Sequence, residues 1–165
     1  MFYEQVFRGL NEAGVKYLVA GGMAVNLHGA PRFTHDLDLI LLLEQNNVKK
    51  TIDVLQNLDY AVRLPVDPEK FADAKTRERW IKEKDMKAFT FQHKNEPMLS
   101  IDLLFGLSLN YEDCYENHVI FEADDLKIPV ISKEDLLKLK RQSNRVLDQV
   151  DIKMLGKLED FEDEI

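Results

Sequence analysis

The stretch Leu18-Val19-Ala20-Gly21-Gly22-Met23-Ala24-Val25-Asn26-Leu27-His28-Gly29-Ala30-Pro31-Arg32-Phe33-Thr34-His35-Asp36-Leu37-Asp38-Leu39 decides how this chain is read. A short apolar run, residues 17–20, ends in two glycines. A small helix follows over residues 23–27 and is closed by Gly29 and Pro31. Glycine lets the backbone approach an anion closely, and the free amides of a helix start favour phosphate. The chain then returns into Asp36-Leu37-Asp38. In a strand, residues i and i+2 face the same side, about 7 Å apart. Asp36 and Asp38 therefore point together from a strand beside Gly21 and Gly22. Leu37, Leu39, Leu41 and Leu43 point the other way, into a core.

Two carboxylates exposed by an apolar strand fit a hard divalent cation, Mg²⁺ or Mn²⁺, which takes carboxylate and phosphate oxygens together. A nucleoside triphosphate held by Gly21 and Gly22 would complete the shell. A second ion would lower the pKa of an acceptor hydroxyl for in-line attack on the α-phosphorus. Such a site wants a third carboxylate. In Leu99-Ser100-Ile101-Asp102-Leu103-Leu104-Phe105, Asp102 is the only charge of an apolar strand. The expected metal set is thus Asp36, Asp38 and Asp102. Taken singly, a Gly-Gly pair reads as a turn, Asp-Leu-Asp as surface alternation and Asp102 as a satisfied strand-end carboxylate. Their order and context carry the functional reading.

Outward from this segment, Phe2, Val6, Phe7 and Leu10 space a helix over residues 2–13, stopped at Gly14. Residues 37–43 read as a buried strand and 48–58 as a helix. Residues 60–84 give no clear element: Pro65 and Pro68 break them, and charge dominates after Lys75. Residues 87–92 and 99–105 read as paired strands about the turn Lys94-Asn95-Glu96-Pro97. Residues 119–121 and 128–131 are short strands or extended loops. Ser132 is an N-cap candidate with Asp135 three residues on. The helical spacing then runs through Leu136, Leu139, Val146, Val150, Met154 and Leu158, with a break near Ser143-Asn144.

The expectation is an α/β chain with a mixed sheet. A single domain fits 165 residues with 45% hydrophobic and 32% charged composition. Its core spans residues 1–131, and residues 132–165 form a C-terminal helical segment with an acidic, solvated tail. A net charge of -8 excludes a generally basic nucleic-acid coat, so a polynucleotide would need a local patch. Lys75, Arg77, Arg79, Lys82, Lys84 and Lys87 offer one, with Trp80 as a stacking platform. The interspersed Glu78, Glu83 and Asp85 favour a solvated helix instead. Cys114 is the one cysteine, which excludes a disulfide framework and a cysteine-based zinc site. The first residues lack the basic-then-apolar layout of a signal peptide, and no apolar run is long enough to span a bilayer. The expected location is cytoplasmic.

Gly-Gly, a short helix, Asp-x-Asp in an apolar strand and a later lone strand Asp resemble the DNA polymerase β-type nucleotidyltransferase superfamily. The finer pattern from Gly21 to Leu39, with Ala24, Val25, His28, Gly29, Arg32 and Thr34, is similar to the AbiEii/AbiGii toxin-like group of toxin–antitoxin systems. The segments from Ile128 to Lys140 and from Arg145 to Ile152 extend that resemblance, while residues 44–95 are unspecific. The resemblance implies a nucleotidyltransferase core with C-terminal helices and a metal-dependent transfer of a nucleoside monophosphate from an NTP to an acceptor hydroxyl. It implies an active-site lysine at Lys140 and a following acidic residue, either Asp148 or Asp151. An ion pair with Arg145 or Lys140 is the plain alternative for those acids, and a snorkelling lysine for Lys140.

Arg32 and Thr34 are assigned to the nucleotide. Arg32 has the fork geometry for a phosphate and equally for a structural salt bridge. His28 reads as a packing or capping residue and His35 as a rim residue. The toxin resemblance favours a tRNA 3′ end as acceptor and a cognate antitoxin as partner. A small-molecule acceptor, as in aminoglycoside nucleotidyltransferases, and a non-catalytic nucleotide- or partner-binding domain are the alternatives.

Overall fold

The computed structural model describes residues 3–163, with side chains through Lys157. Phe2 and the side chains of the acidic tail fall outside that range. The backbone of the last helix runs to Asp163.

The chain runs α1 (Glu4–Glu12), β1 (Tyr17–Ala20), α2 (Gly21–Leu27), β2 (Asp36–Leu41), α3 (Gln45–Asn57) and β3 (Tyr60–Val62). A 3-10 turn (Pro68–Ala72) leads to α4 (Ala74–Lys84), β4 (Ala88–His93), β5 (Ser100–Leu104) and α5 (Tyr111–Tyr115). The hairpin β6 (Val119–Ala123) and β7 (Leu126–Val130) precedes α6 (Lys133–Ser143) and α7 (Val146–Asp163). The seven strands form one sheet in the order β3-β4-β5-β2-β1-β7-β6. β2 lies parallel to β5 and β1 parallel to β7, and the other pairs are antiparallel. This is the α/β core with a mixed sheet and C-terminal helices that the sequence implied.

Strand parity sorts the two faces. Leu37 and Leu39 of β2, Ile101 and Leu103 of β5, and Phe89 and Phe91 of β4 are fully buried on one side. Asp36, Asp38, Asp102 and Thr90 alternate with them and lie on the other. Phe71 stacks on Phe89 at 4.8 Å between centroids. Val6, Phe7 and Leu10 bury one stripe of α1, and Val48, Ile52 and Leu55 one stripe of α3. At roughly 25 cal/mol per Å² of apolar area removed from water, this layer dominates the stability of the sheet.

Residues 60–84, without a clear pattern in sequence, form β3, the 3-10 turn and α4. Local capping explains the last two: the Asp67 side chain accepts from the amide of Glu69, and that of Asp73 from the amide of Thr76. Trp80 is not a surface platform. It is buried and stacked on Phe89 at 5.4 Å, because α4 turns its one aromatic into the core. Arg77 is also buried, and its guanidinium donates to the carbonyls of Phe71 at 2.6 Å and Leu43 at 3.1 Å. α5 escaped the sequence reading, although Asn110 and Asp113 form a complete capping box. Ser132 caps α6 as expected, and Asn144, in the left-handed region at φ 48°, makes the break before α7. Among the described residues no helix is long and apolar enough to cross a membrane.

Candidate active site

Three registers assemble the carboxylates. Ala20 on β1 lies opposite Asp38 on β2, Asp38 opposite Asp102 on β5, and Asp102 opposite Thr90 on β4. Asp36 lies opposite Ser100. Asp36, Asp38 and Asp102 therefore share one sheet face on adjacent strands, directly beside the turn from β1 into α2.

That turn is tighter than the sequence reading had it, because α2 begins at Gly21 itself. Gly21 sits at φ +59°, and a β-carbon there would stand 1.7 Å from Oδ2 of Asp38. The carboxylate fills the space that glycine leaves open. At Gly22 a β-carbon would stand 2.8 Å from Nη1 of Arg32 and 3.1 Å from Oγ1 of Thr34. Arg32 and Thr34 thus close over the second glycine.

Each outer carboxylate has a hydroxyl partner. Ser100 Oγ donates to Asp36 Oδ1 at 2.6 Å, and Thr90 Oγ1 donates to Asp102 Oδ1 at 2.5 Å. Burial pushes the Asp38 carboxyl up to about 6, and the charges of Asp102 and Asp36 add to the rise, while Lys140 and Arg145 oppose it. Asp102 is raised in the same way, by burial first and by Asp36, against the Thr90 hydrogen bond and the charges of Arg63 and Arg145. Among the described residues no three carboxylate, imidazole or thiol groups close around a point tightly enough to hold an ion. The strand register brings the three aspartates together, and the side chains of Asp36 and Asp102 turn toward their hydroxyl partners. A crowded acidic trio whose central member resists ionisation is a donor set that a hard cation suits.

A second charged cluster flanks the first. Lys140 of α6 is buried, with Nζ 2.7 Å from Asp151 Oδ2 and 3.3 Å from Asp148 Oδ1. Asp151 also takes Nη1 of Arg32 at 2.8 Å, which joins α7 to the glycine turn. Asp148 accepts the amide of Arg145 at 3.1 Å and its Nε at 3.2 Å. Burial alone would raise the Asp148 carboxyl, but Ser143, Arg145 and Lys140 hold it below its ordinary value. Both acids expected from sequence thus meet Lys140, and Asp151 is the one that also reaches Arg32. Lys138 lies outside the cluster, paired at 3.0 Å with Glu134 and with Asp135.

The histidines stand apart. His28 places Nε2 2.8 Å from the Ile131 carbonyl and packs edge-on against Phe121. His35 meets Phe33 edge-on at 4.5 Å, and Phe33 is exposed.

Sequence reasoning missed several contributors. Thr90 and Ser100 were legible in principle, since they occupy the same strand parity as the aspartates. Tyr3 gave no signal. Its hydroxyl reaches the carbonyl oxygens of His35 and, at 2.9 Å, Ser100, so one proton serves two acceptors at the ends of β2 and β5. It also accepts the Ser100 amide at 3.2 Å. Arg63 acts on Asp102 from the end of a strand that the sequence left undefined, and Arg145, read from sequence only as an ion-pair partner for the helix acids, also acts on Asp38 and Asp102.

Solved structures of this fold include the following three. The lincosamide antibiotic adenylyltransferase LnuA, lincomycin-bound, matches with a TM-score of 0.57 and 18% identity, over 89% of each chain. ANT(2")-Ia in complex with adenylyl-2"-tobramycin matches with a TM-score of 0.58 and 10% identity, over 93% of this chain and 84% of its own. An antigenic nucleotidyltransferase-like protein from Paracoccidioides brasiliensis matches with a TM-score of 0.53 and 16% identity, over 93% of this chain and 72% of its own. No protein of curated function matches the chain. Glycine turn, strand aspartates, α6 and most of α7 fall within one family model, which matches residues 7–157: the chain belongs to the nucleotidyl transferase AbiEii toxin family (Type IV TA system) and is an enzyme of the nucleotidyltransferase class.

Proposed function

We propose that this enzyme moves a nucleoside monophosphate from an NTP to the hydroxyl of an acceptor and releases pyrophosphate. The observation that carries the reading is the register of Asp38 with Asp102 beside Gly21, with the Asp38 carboxylate lodged where a side chain at residue 21 would be. In the reaction the acceptor oxygen bonds to the α-phosphorus as the bond to the bridging oxygen breaks. Pyrophosphate takes that electron pair, and the hydroxyl proton leaves to solvent.

Asp36, Asp38 and Asp102 would hold Mg²⁺ or Mn²⁺, which supplies charge compensation and a more acidic acceptor hydroxyl. The amides of Gly21 and Gly22 face the triphosphate, with Arg32 and Thr34 closing over it. Lys140, steadied by Asp148 and Asp151, favours ionised Asp38 and adds positive charge near the leaving group.

For the acceptor we place a small hydroxyl compound ahead of a tRNA 3′ end. The stretch from Lys75 to Lys87 gives Arg77 and Trp80 to the core, so it has lost its stacking platform, and the net charge is -8. Of the structures of like fold, one is a lincosamide antibiotic adenylyltransferase, lincomycin-bound, and another is in complex with adenylyl-2"-tobramycin. The tRNA end and a cognate antitoxin partner remain the second reading, motivated by the family description as a toxin of a Type IV TA system.

A transfer assay with each α-labelled NTP, offered total tRNA or a hydroxylated antibiotic panel, tests both. Label should move only with divalent metal, and Asp38→Asn should abolish it. Undiminished transfer by Asp38→Asn refutes the site. Label on tRNA alone reverses the order of acceptors.

A further inference from the structure

We infer that Arg63 grips a phosphate-type anion on the acceptor molecule, next to the hydroxyl that receives the nucleotidyl group. The inference rests on the nucleotidyltransferase reading above and names the chemistry of its second substrate.

The registers place Ala20, Asp38, Asp102 and Thr90 in one row across four strands. The amide of Arg63 donates to the Thr90 carbonyl at 2.9 Å, one residue beyond the pairing of Val62 with Phe91. Arg63 continues the row. Residues directly opposed in an antiparallel pair share a sheet face, so Arg63 lies on the face of the three aspartates.

Its position in the row identifies its partner. The glycine turn follows β1 at one end, where the triphosphate belongs. Arg63 stands at the other end, with Asp102 and Thr90 between. An oxygen attacking in line approaches opposite the leaving pyrophosphate. The acceptor therefore comes from the side of β4 and β3, past Arg63.

Arg63 is exposed, and among the described residues it makes no ion pair. Its charge is felt at Asp102. A guanidinium fork on the approach path matches a phosphate in two parallel hydrogen bonds, which a neutral acceptor would leave unused. Two sources carry a phosphate beside a free hydroxyl: a small phosphorylated polyol or sugar, and the last phosphodiester of an RNA 3′ end.

The test is calorimetric titration of the full chain, wild type against Arg63→Gln and Arg63→Lys. Mg²⁺ and the α,β-methylene analogues of the four NTPs are present throughout. The probes are glycerol 3-phosphate, a short oligoribonucleotide with a free 3′ hydroxyl, and glycerol. Wild type should bind at least one phosphate probe and not glycerol. Arg63→Gln should weaken that binding about 10-fold, in line with loss of a charged hydrogen-bond partner, and Arg63→Lys should recover part of it. Affinity for the NTP analogues should stay within about twofold, since Arg63 stands away from the glycine turn. Binding of glycerol 3-phosphate alone identifies a small acceptor, and of the oligoribonucleotide alone an RNA end. Equal binding by Arg63→Gln, no binding of either phosphate probe by wild type, or equal loss of NTP affinity overturns the inference while leaving the transferase reading in place. Failure of wild type to bind any NTP analogue with Mg²⁺ overturns that reading, and this inference with it.

Discussion

Replacing Asp38 by Asn should stabilise the metal-free protein while removing its response to metal. The Asp38 carboxyl rises from 3.8 to about 6 on folding, through burial first and then the charges of Asp102 and Asp36. A raised carboxylate pKa means that the fold disfavours the charged form. The protonated group contributes its full stability below pH 4, and that contribution is lost as pH rises through 6. The rise corresponds to about 3 kcal/mol at 1.36 kcal/mol per pKa unit. Asp38 retains some solvent contact, so a difference of about 1–2 kcal/mol is expected above pH 7. For a chain of this size that is a melting-temperature gain of about 3–6 °C for Asp38→Asn. The assay is thermal unfolding in EDTA from pH 4 to 8, repeated at pH 7.5 with Mg²⁺ and NTP. The gain should vanish near pH 4. With Mg²⁺ and NTP the wild type alone should rise, since ligands that bind only the folded state raise its stability. A gain independent of pH, or a wild type more stable than Asp38→Asn in EDTA at pH 8, refutes the account of Asp38 as a carboxylate held under electrostatic stress.

The remaining predictions address the groups around it. Gly21→Ala should abolish transfer in a protein that melts lower, because its methyl would meet the Asp38 carboxylate and left-handed backbone costs about 1–2 kcal/mol for a non-glycine residue; activity equal to wild type would show that the turn can move. Lys140→Ala should cost about 3–5 kcal/mol by leaving Asp148 and Asp151 short of their buried cation, whereas Lys138→Ala, at an exposed ion pair, should leave stability nearly unchanged. Equal denaturant midpoints for the two would remove Lys140 from the cluster. Tyr3→Phe should lower stability by about 1 kcal/mol and raise the metal concentration needed for half-maximal transfer, since its hydroxyl ties the starts of β2 and β5. A stability loss with unchanged metal dependence would confine Tyr3 to folding.

Alternation in β2 and β5 was enough to place Asp36, Asp38 and Asp102 on one face, because a strand offers only two directions and leucines occupied the other. Which strands are neighbours was not readable. The parallel pairing of β2 with β5 crosses α3, β3 and α4, and no local pattern encodes contact over that distance. Residues 60–84 resisted for another reason. Their order comes from aspartate caps and from Phe71, Arg77 and Trp80 reaching into a core built by β4, so their apolar spacing is sparse and their charge misleading. Lys75, Arg79, Lys82 and Lys84 do form the solvated helix face that the interspersed acids favoured, with Lys87 exposed just beyond it, but sequence counts arginines without saying that Arg77 has carbonyl partners in the core.

The ion-pair cluster adds a step that neither motif contains alone. Asp151 takes both Lys140 and Arg32, and Asp148 takes both Lys140 and Arg145. Each carboxylate is therefore shared between Lys140 and a second cation, Arg32 for Asp151 and Arg145 for Asp148. Lys140 and Arg145 favour ionised Asp38, and Arg32 covers Gly22. A triphosphate entering over the glycines would bring negative charge toward cations already held by Asp148 and Asp151. The acidic trio would then need compensation from outside the chain. This is why NTP and metal should bind with mutual dependence: each removes the repulsion that the other meets, so the coupling is reciprocal by linkage. On the proposed reading the two acidic groups would then do distinct work: Asp148 and Asp151 hold the protein's own cations, and Asp36, Asp38 and Asp102 would face those that arrive with the substrate.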